Sequence, residues 1–258
     1  MSTATTYEYN RIADRKRIDF ITNVLCQSLP LHATILDVGC GNGVISRHLG
    51  RIGFNVLGID VSEKAIEAAA AIEPMSNVQF KKMGAEELVA SGIKYDAIIC
   101  SEVLEHLNSP DLLLQVLHES LADHGKLIVT VPNGQGPREL LVTRPVLSMR
   151  NSNNLLWKAV VAVKKMMGYS GTTVQSAADN LDHVQFFSKS DLEKLSGSHH
   201  FRITRFGKAN FIEDVFPFSF VTKKITFLQK LDCQVADILP TRFTGGFFTV
   251  WEKMPLNN

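Results

Sequence analysis

Residues 34–43 read Thr-Ile-Leu-Asp-Val-Gly-Cys-Gly-Asn-Gly, and residues 44–52 continue Val-Ile-Ser-Arg-His-Leu-Gly-Arg-Ile. Thr34 to Val38 is a short apolar run closed by glycines, the pattern of a strand buried on both faces. Val44 to Ile52 follows with helical character. The glycines between them permit positive φ and let a ligand approach the backbone closely. In an open α/β sheet, ligands bind at the carboxyl ends of the strands, where the strand order reverses. A dinucleotide fold places G-x-G-x-x-G at this turn to cradle a pyrophosphate. This chain has G-x-G-x-G instead, with Asp37 two residues before the first glycine. A carboxylate there would repel a pyrophosphate and suits a ligand carrying an ammonium group.

The flanking sequence repeats the same alternation. Asn10 to Leu29 reads as a helix, with Ile12, Ile18, Ile21 and Val24 at helical spacing and Pro30 as its stop. After the glycine loop come a strand at Phe54–Asp60, a helix at Ser62–Ile72 with Ser62 as N-cap, and a strand at Val78–Lys82. A strand at Tyr95–Ser101, a helix at Asp111–Ala122 and a strand at Lys126–Val131 complete the series. A last helix is expected over Ser190–Leu195, then strands at Phe201–Lys208 and Phe247–Lys253 separated by a long connection. Apolar strands alternating with helices predict an α/β fold, a parallel sheet covered on both faces. Residues 134–180 interrupt the pattern. Arg138, Arg144, Arg150, Lys158, Lys164 and Lys165 are spread there among leucines, valines, Trp157 and two methionines, which predicts one or two basic amphipathic helices. Residues 1–258 are thus read as one domain with a helical insertion or cap at about 134–180.

A chain of 258 residues with 45% hydrophobic and 21% charged residues has ordinary globular composition. A formal net charge of +1 offers no broad electrostatic footprint for nucleic acid. Cys26, Cys40, Cys100 and Cys233 form no CxxC pair, which argues against a disulfide framework or a zinc site and for a reducing, cytoplasmic setting. The polar first twenty residues do not read as a secretory signal. The apolar stretch Leu155–Val163 is too short to span a bilayer.

Asp60, at the end of the second strand, lies about 20 residues beyond the glycine loop, where an acidic side chain can hold ribose hydroxyls. Together, ILDVGCGNG, VLGIDVSEKAIEAA, YDAIICSEVLEHL and LIVTVPN resemble the successive motifs of class I S-adenosylmethionine (SAM)-dependent methyltransferases over roughly Thr34 to Asn133. The resemblance implies a Rossmann-like seven-stranded sheet, mostly parallel, with an antiparallel C-terminal hairpin. It also implies that Asp37, Gly39 and Gly41 line the methionyl moiety, with Cys40 and Gly43 completing the donor loop. Asp60 would bind ribose and Val61 would lie against adenine. Gly84, Ala85 and Glu86 would border the adenine ring, and Ser101 would close the donor side. Many members carry an aspartate where this chain has Gly84; Glu86 or backbone groups would replace that contact.

After the fourth strand comes Glu102-Val103-Leu104-Glu105-His106. If a helix begins here, Glu102, Glu105 and His106 share one face at i, i+3 and i+4. Two carboxylates and an imidazole so placed could ligate magnesium or manganese, which would lower the pKa of an acceptor hydroxyl. Without metal, His106 could itself be the general base. E-x-x-E-H here resembles the ubiquinone-biosynthesis O-methyltransferases and the small-RNA 2′-O-methyltransferases. By the latter resemblance, His183 in Asp182-His183-Val184-Gln185-Phe186-Phe187 is a second catalytic histidine and a fourth metal ligand. The expected reaction is O-methylation of a small-molecule, sugar or lipid-linked acceptor. RNA 2′-O-methylation, a non-catalytic SAM-binding partner subunit and a nicotinamide-dependent reductase are the competing readings. The basic insertion is either a lid that touches a membrane surface or a cap packed on the domain or on a second copy in a dimer.

Overall fold

The computed structural model describes residues 8–145, 183–215, 218–222 and 224–255. The basic amphipathic stretch is described only to Pro145 and again from His183. The expectations for the rest of it, membrane contact included, lie outside the described residues.

The strand-loop-helix read from residues 34–52 forms with those bounds: β1 is Thr34–Val38 and α2 is Val44–Ile52, preceded by α1 at Ile12–Ser28. β2 (Asn55–Asp60), α3 (Glu63–Ala71), β3 (Val78–Lys82), α4 (Ala85–Ala90), β4 (Tyr95–Ser101), α5 (Pro110–Ser120) and β5 (Leu121–Pro132) follow. The Ser62 hydroxyl accepts from the Ala65 amide and so caps α3 as its sequence position implies. After α6 (Lys189–Ser198) and β6 (Phe201–Lys208), a helix not read from the sequence, α7 at Thr226–Ile238, fills the long connection to β7 at Gly246–Lys253.

The seven strands lie in the order β3-β2-β1-β4-β5-β7-β6. β1 to β5 pair in parallel, and β7 runs antiparallel to both β5 and β6. This is the mostly parallel Rossmann-like sheet with an antiparallel C-terminal hairpin.

Successive side chains of a strand point to opposite faces, and the core divides accordingly. Leu36, Ile98, Cys100, Leu127 and Val129 pack with Leu88, Leu114 and Leu117 on one face. Ile35, Ala97, Ile99 and Ile128 pack with Ile18, Ile21, Val44 and Leu49 on the other. Each such fully buried aliphatic side chain stabilises the fold by roughly 1.5–3 kcal/mol. All four cysteines are free. No helix of the described residues is long and apolar enough to cross a membrane. The strand order reverses between β1 and β4, whose register pairs Val38 with Cys100. The loops after these two strands therefore emerge side by side.

Candidate active site

A cavity of about 1330 Å³ opens at that switch point. Its wall includes Asp37, Gly39, Cys40, Gly41, Asp60, Val61 and Ser101 from one set of expected residues, and Glu102, Glu105, His106 and His183 from the other. Both sets thus share one space.

On the first side the glycine loop is bent by left-handed backbone at Gly39 (φ 68°), Gly41 (54°) and Gly43 (76°). The amides of Gly39 and Cys40 donate to the Ile59 carbonyl at 2.8 and 3.0 Å, and the Gly41 amide donates to Asp60 Oδ2 at 3.0 Å. Asp60 also accepts from the Ser62 amide at 2.8 Å, so one carboxylate ties the loop to the start of α3. A Cβ on Gly39 would meet Val103 Cγ2 at 2.5 Å. Gly39→Ala is therefore expected to combine a left-handed backbone penalty with overpacking, about 3 kcal/mol together. A urea midpoint unchanged from wild type would refute this. Gly43 does not reach the cavity wall. It is the N-cap of α2, and a Cβ there would strike the Phe80 ring at 2.5 Å. Ala85 and Glu86 open α4 directly after Gly84, which itself lines the cavity. A Cβ on Gly84 would meet nothing within 4 Å. Val61 is 76% exposed, an apolar surface offered to a flat ligand.

Asp37 is 1% exposed and accepts from Ser46 Oγ at 2.6 Å. No cationic side chain among the described residues pairs with it. Burial, with the nearby charge of Asp60, pushes its carboxyl up to about 7. A ligand ammonium is the partner this carboxylate lacks.

The second side departs from the helical reading. No α-helix starts at Glu102. That residue takes a left-handed φ of 58°, rare outside glycine, and Leu104–His106 is a single 3₁₀ turn. Glu102 is thereby turned away from the expected shared face. Its Oε1 accepts from Thr130 Oγ1 at 2.9 Å and pairs with Arg17 at 3.4 Å, and the Ser101 and Thr130 hydroxyls stand 2.8 Å apart.

Glu105, His106 and His183 do converge, with one ligand atom from each lying within 4.8 Å of the others. Glu102 is not in that group. His106 Nε2 is 3.8 Å from Glu105 Oε1, and the two histidine rings meet edge to face at 5.2 Å. The backbone sets this meeting. The Glu105 carbonyl accepts from the amides of Val184 and Gln185 at 2.9 and 3.0 Å, and the Gly134 amide donates to the Phe187 carbonyl at 2.8 Å. A Cβ on Gly134 would lie 2.4 Å from the Phe186 backbone, so only glycine admits the 183–187 segment this close.

Glu105 is 1% exposed, and its Oε2 has no hydrogen-bond partner. Burial and the charge of Glu102 push its carboxyl well above the usual range. A buried carboxylate oxygen left unpaired beside two imidazoles fits a cation. Sequence reasoning missed Glu139, a second buried carboxylate, which lies 3.6 Å from His183 Nδ1. Its position at the start of the insertion carried no recognisable spacing to the other ligands.

Residues 9–205 match the family described as Methyltransferase domain. The chain is 37% identical over 102 residues to a ubiquinone biosynthesis O-methyltransferase of Caulobacter sp. (strain K31), covering 38% of this chain and 40% of that protein. It is 32% identical over 131 residues to the mitochondrial ubiquinone biosynthesis O-methyltransferase of Homo sapiens, covering 45% and 36%. The matches therefore span about two fifths of the length of these relatives. Among solved structures, a SAM-dependent methyltransferase from Archaeoglobus fulgidus superposes with a TM-score of 0.59 at 13% identity, covering 93% of this chain and 94% of the other. The magnesium protoporphyrin IX methyltransferase from Synechocystis PCC 6803 with bound S-adenosylhomocysteine (SAH) gives 0.53 at 20% identity, covering 94% and 84%. These two likenesses concern the fold.

Proposed function

The chain belongs to the methyltransferase domain family, and on that premise we propose that it is a SAM-dependent O-methyltransferase acting on a small-molecule acceptor. The observation that carries this reading is Asp37, a buried carboxylate without a cationic partner, set in a glycine cradle that opens into the same cavity as Glu105, His106 and His183.

SAM supplies an activated methyl group when bound, so the enzyme's work is to align the acceptor, remove its proton and exclude water. Asp37 receives the ammonium of the methionyl end. The positive-φ turns of the loop would let the ligand pass close to the backbone, with Asp60 toward the ribose and Val61 toward adenine. On the opposite wall Glu105, His106 and His183 would hold a divalent cation, which would supply positive charge beside an acceptor hydroxyl. Three protein donors leave coordination positions open. In the cation-free protein, His106 would itself take the acceptor proton, its Nε2 lying 3.8 Å from Glu105 Oε1. Tyr9, Leu107, Phe211 and Phe248 line the remaining cavity, a wall suited to an aromatic or otherwise apolar acceptor. The relatives named for ubiquinone biosynthesis support an oxygen as the methylated atom.

The test is calorimetric titration with SAH, followed by manganese, on wild type and Glu105→Gln. Micromolar SAH binding by both, with a manganese heat present in wild type and lost in the variant, is expected. No SAH binding would overturn the whole reading. SAH binding without any manganese heat would leave the methyltransferase and remove the cation.

A further inference from the structure

Glu139 begins a π-helical turn, Glu139–Thr143, and is 1% exposed. Neither of its carboxylate oxygens has a hydrogen-bond partner. Burial alone would raise its carboxyl, yet His183, Arg138 and Thr143 hold it below the usual range, so the group is kept ionised beside that histidine. The ring nitrogen facing it is His183 Nδ1, 3.6 Å from Oε1. The charge of Glu139 also reaches Glu105, whose Oε2 is likewise buried and unpaired. Glu105 and Glu139 thus put two buried carboxylates in one cluster with two imidazoles.

Resting on the cation-binding reading above, we propose that Glu139 is the positioning residue of His183. Its carboxylate accepts the proton of Nδ1, which leaves Nε2 as the lone pair available to a divalent cation shared with Glu105 and His106. A carboxylate behind a ligating histidine fixes the tautomer and ring orientation and raises the basicity of the other nitrogen. The present 3.6 Å separation is an ion-pair distance. A sub-ångström shift of the ring brings it to the roughly 2.9 Å of a hydrogen bond. Glu139 does not line the cavity, whereas its neighbour Arg138 and His183 do. It therefore acts through His183 and does not touch the acceptor.

The experiment compares wild type, Glu139→Gln and Glu139→Leu in the full chain saturated with SAH, using manganese as the probe. Glutamine is nearly isosteric, keeps an acceptor for Nδ1–H and loses the charge; leucine loses both. Manganese affinity is expected to fall about 10- to 100-fold in Glu139→Gln, and at least as far in Glu139→Leu. SAH affinity and melting temperature should stay within error in Glu139→Gln. Long-range ¹⁵N–¹H spectra of the metal-free protein should show neutral His183 with its proton on Nδ1 in wild type, and a mixture in Glu139→Leu. Equal manganese affinity in all three proteins would overturn the role of Glu139 and leave the cation site standing. An Nε2–H tautomer in wild type would also overturn it. Absence of manganese binding in wild type that still binds SAH would overturn the cation site and this inference with it.

Discussion

Asp37→Ala is expected to lose at least 100-fold in SAH affinity, enough to abolish binding at micromolar ligand. The variant removes the one charged side chain of residues 37–43 and leaves the ligand ammonium without its buried counter-charge. Breaking a buried charge pair by deleting one partner costs about 3–5 kcal/mol, or roughly two to three orders of magnitude in affinity. The carboxyl is pushed up to about 7 in the ligand-free fold, against an ordinary aspartate value of 3.8. Its folded pKa lies above its unfolded one, so the folded state binds the extra proton. Stability of the ligand-free protein is therefore expected to fall as pH rises from about 4 to about 7, by on the order of 4 kcal/mol, and then to level off. Asp37→Asn should lack that decline and melt higher than wild type at pH 8. A cationic ligand reverses the balance. Wild-type SAH affinity should rise with pH up to about 7 and flatten above it. Calorimetry at pH 6, 7 and 8 on both proteins measures this, and near-normal affinity in Asp37→Ala would remove Asp37 from the donor site.

His106→Ala is expected to lower turnover by about 10²- to 10⁴-fold while SAH affinity stays within twofold. The side chain stands on the acceptor wall, 20% exposed, against Glu105 and the His183 ring, and its backbone turn follows β4 rather than the glycine loop. The loss is expected whether the imidazole holds a cation or takes the proton itself. Single-turnover methyl transfer to an aromatic acceptor bearing a hydroxyl, scored with radiolabelled SAM, reads the chemical step. Turnover equal to wild type on any accepted substrate would exclude His106 from the mechanism.

The parts of this molecule legible in the sequence are those in which neighbours along the chain act together. β1, α2 and β3 have the expected bounds because an unbroken apolar run or a helical stripe is a local signal. The short α4 went unread because Ala85–Ala90 is too brief to show a period, and α7 because Thr226–Ile238 leaves Phe227, Leu231 and Ile238 exposed. The same limit applies to the site. The Asp37 loop and Asp60 are connected by adjacent parallel strands, which the alternating pattern already implied. The face expected from Glu102, Glu105 and His106 assumed continuous helix, and the left-handed Glu102 breaks that continuity. Glu102 is held there instead by Thr130 and Arg17, residues far away in sequence. Glu139 enters the His183 environment only through the return of residues 183–187 to the sheet, a tertiary event without a sequence period.

That return closes like a buckle. The Gly134 amide grips the Phe187 carbonyl, and the Glu105 carbonyl grips the amides of Val184 and Gln185, so the chain leaves the sheet and re-enters it at one fastened point. His183 is thus placed by main-chain bonds, and side-chain changes at Val184 or Gln185 that keep those bonds should leave it against Glu105.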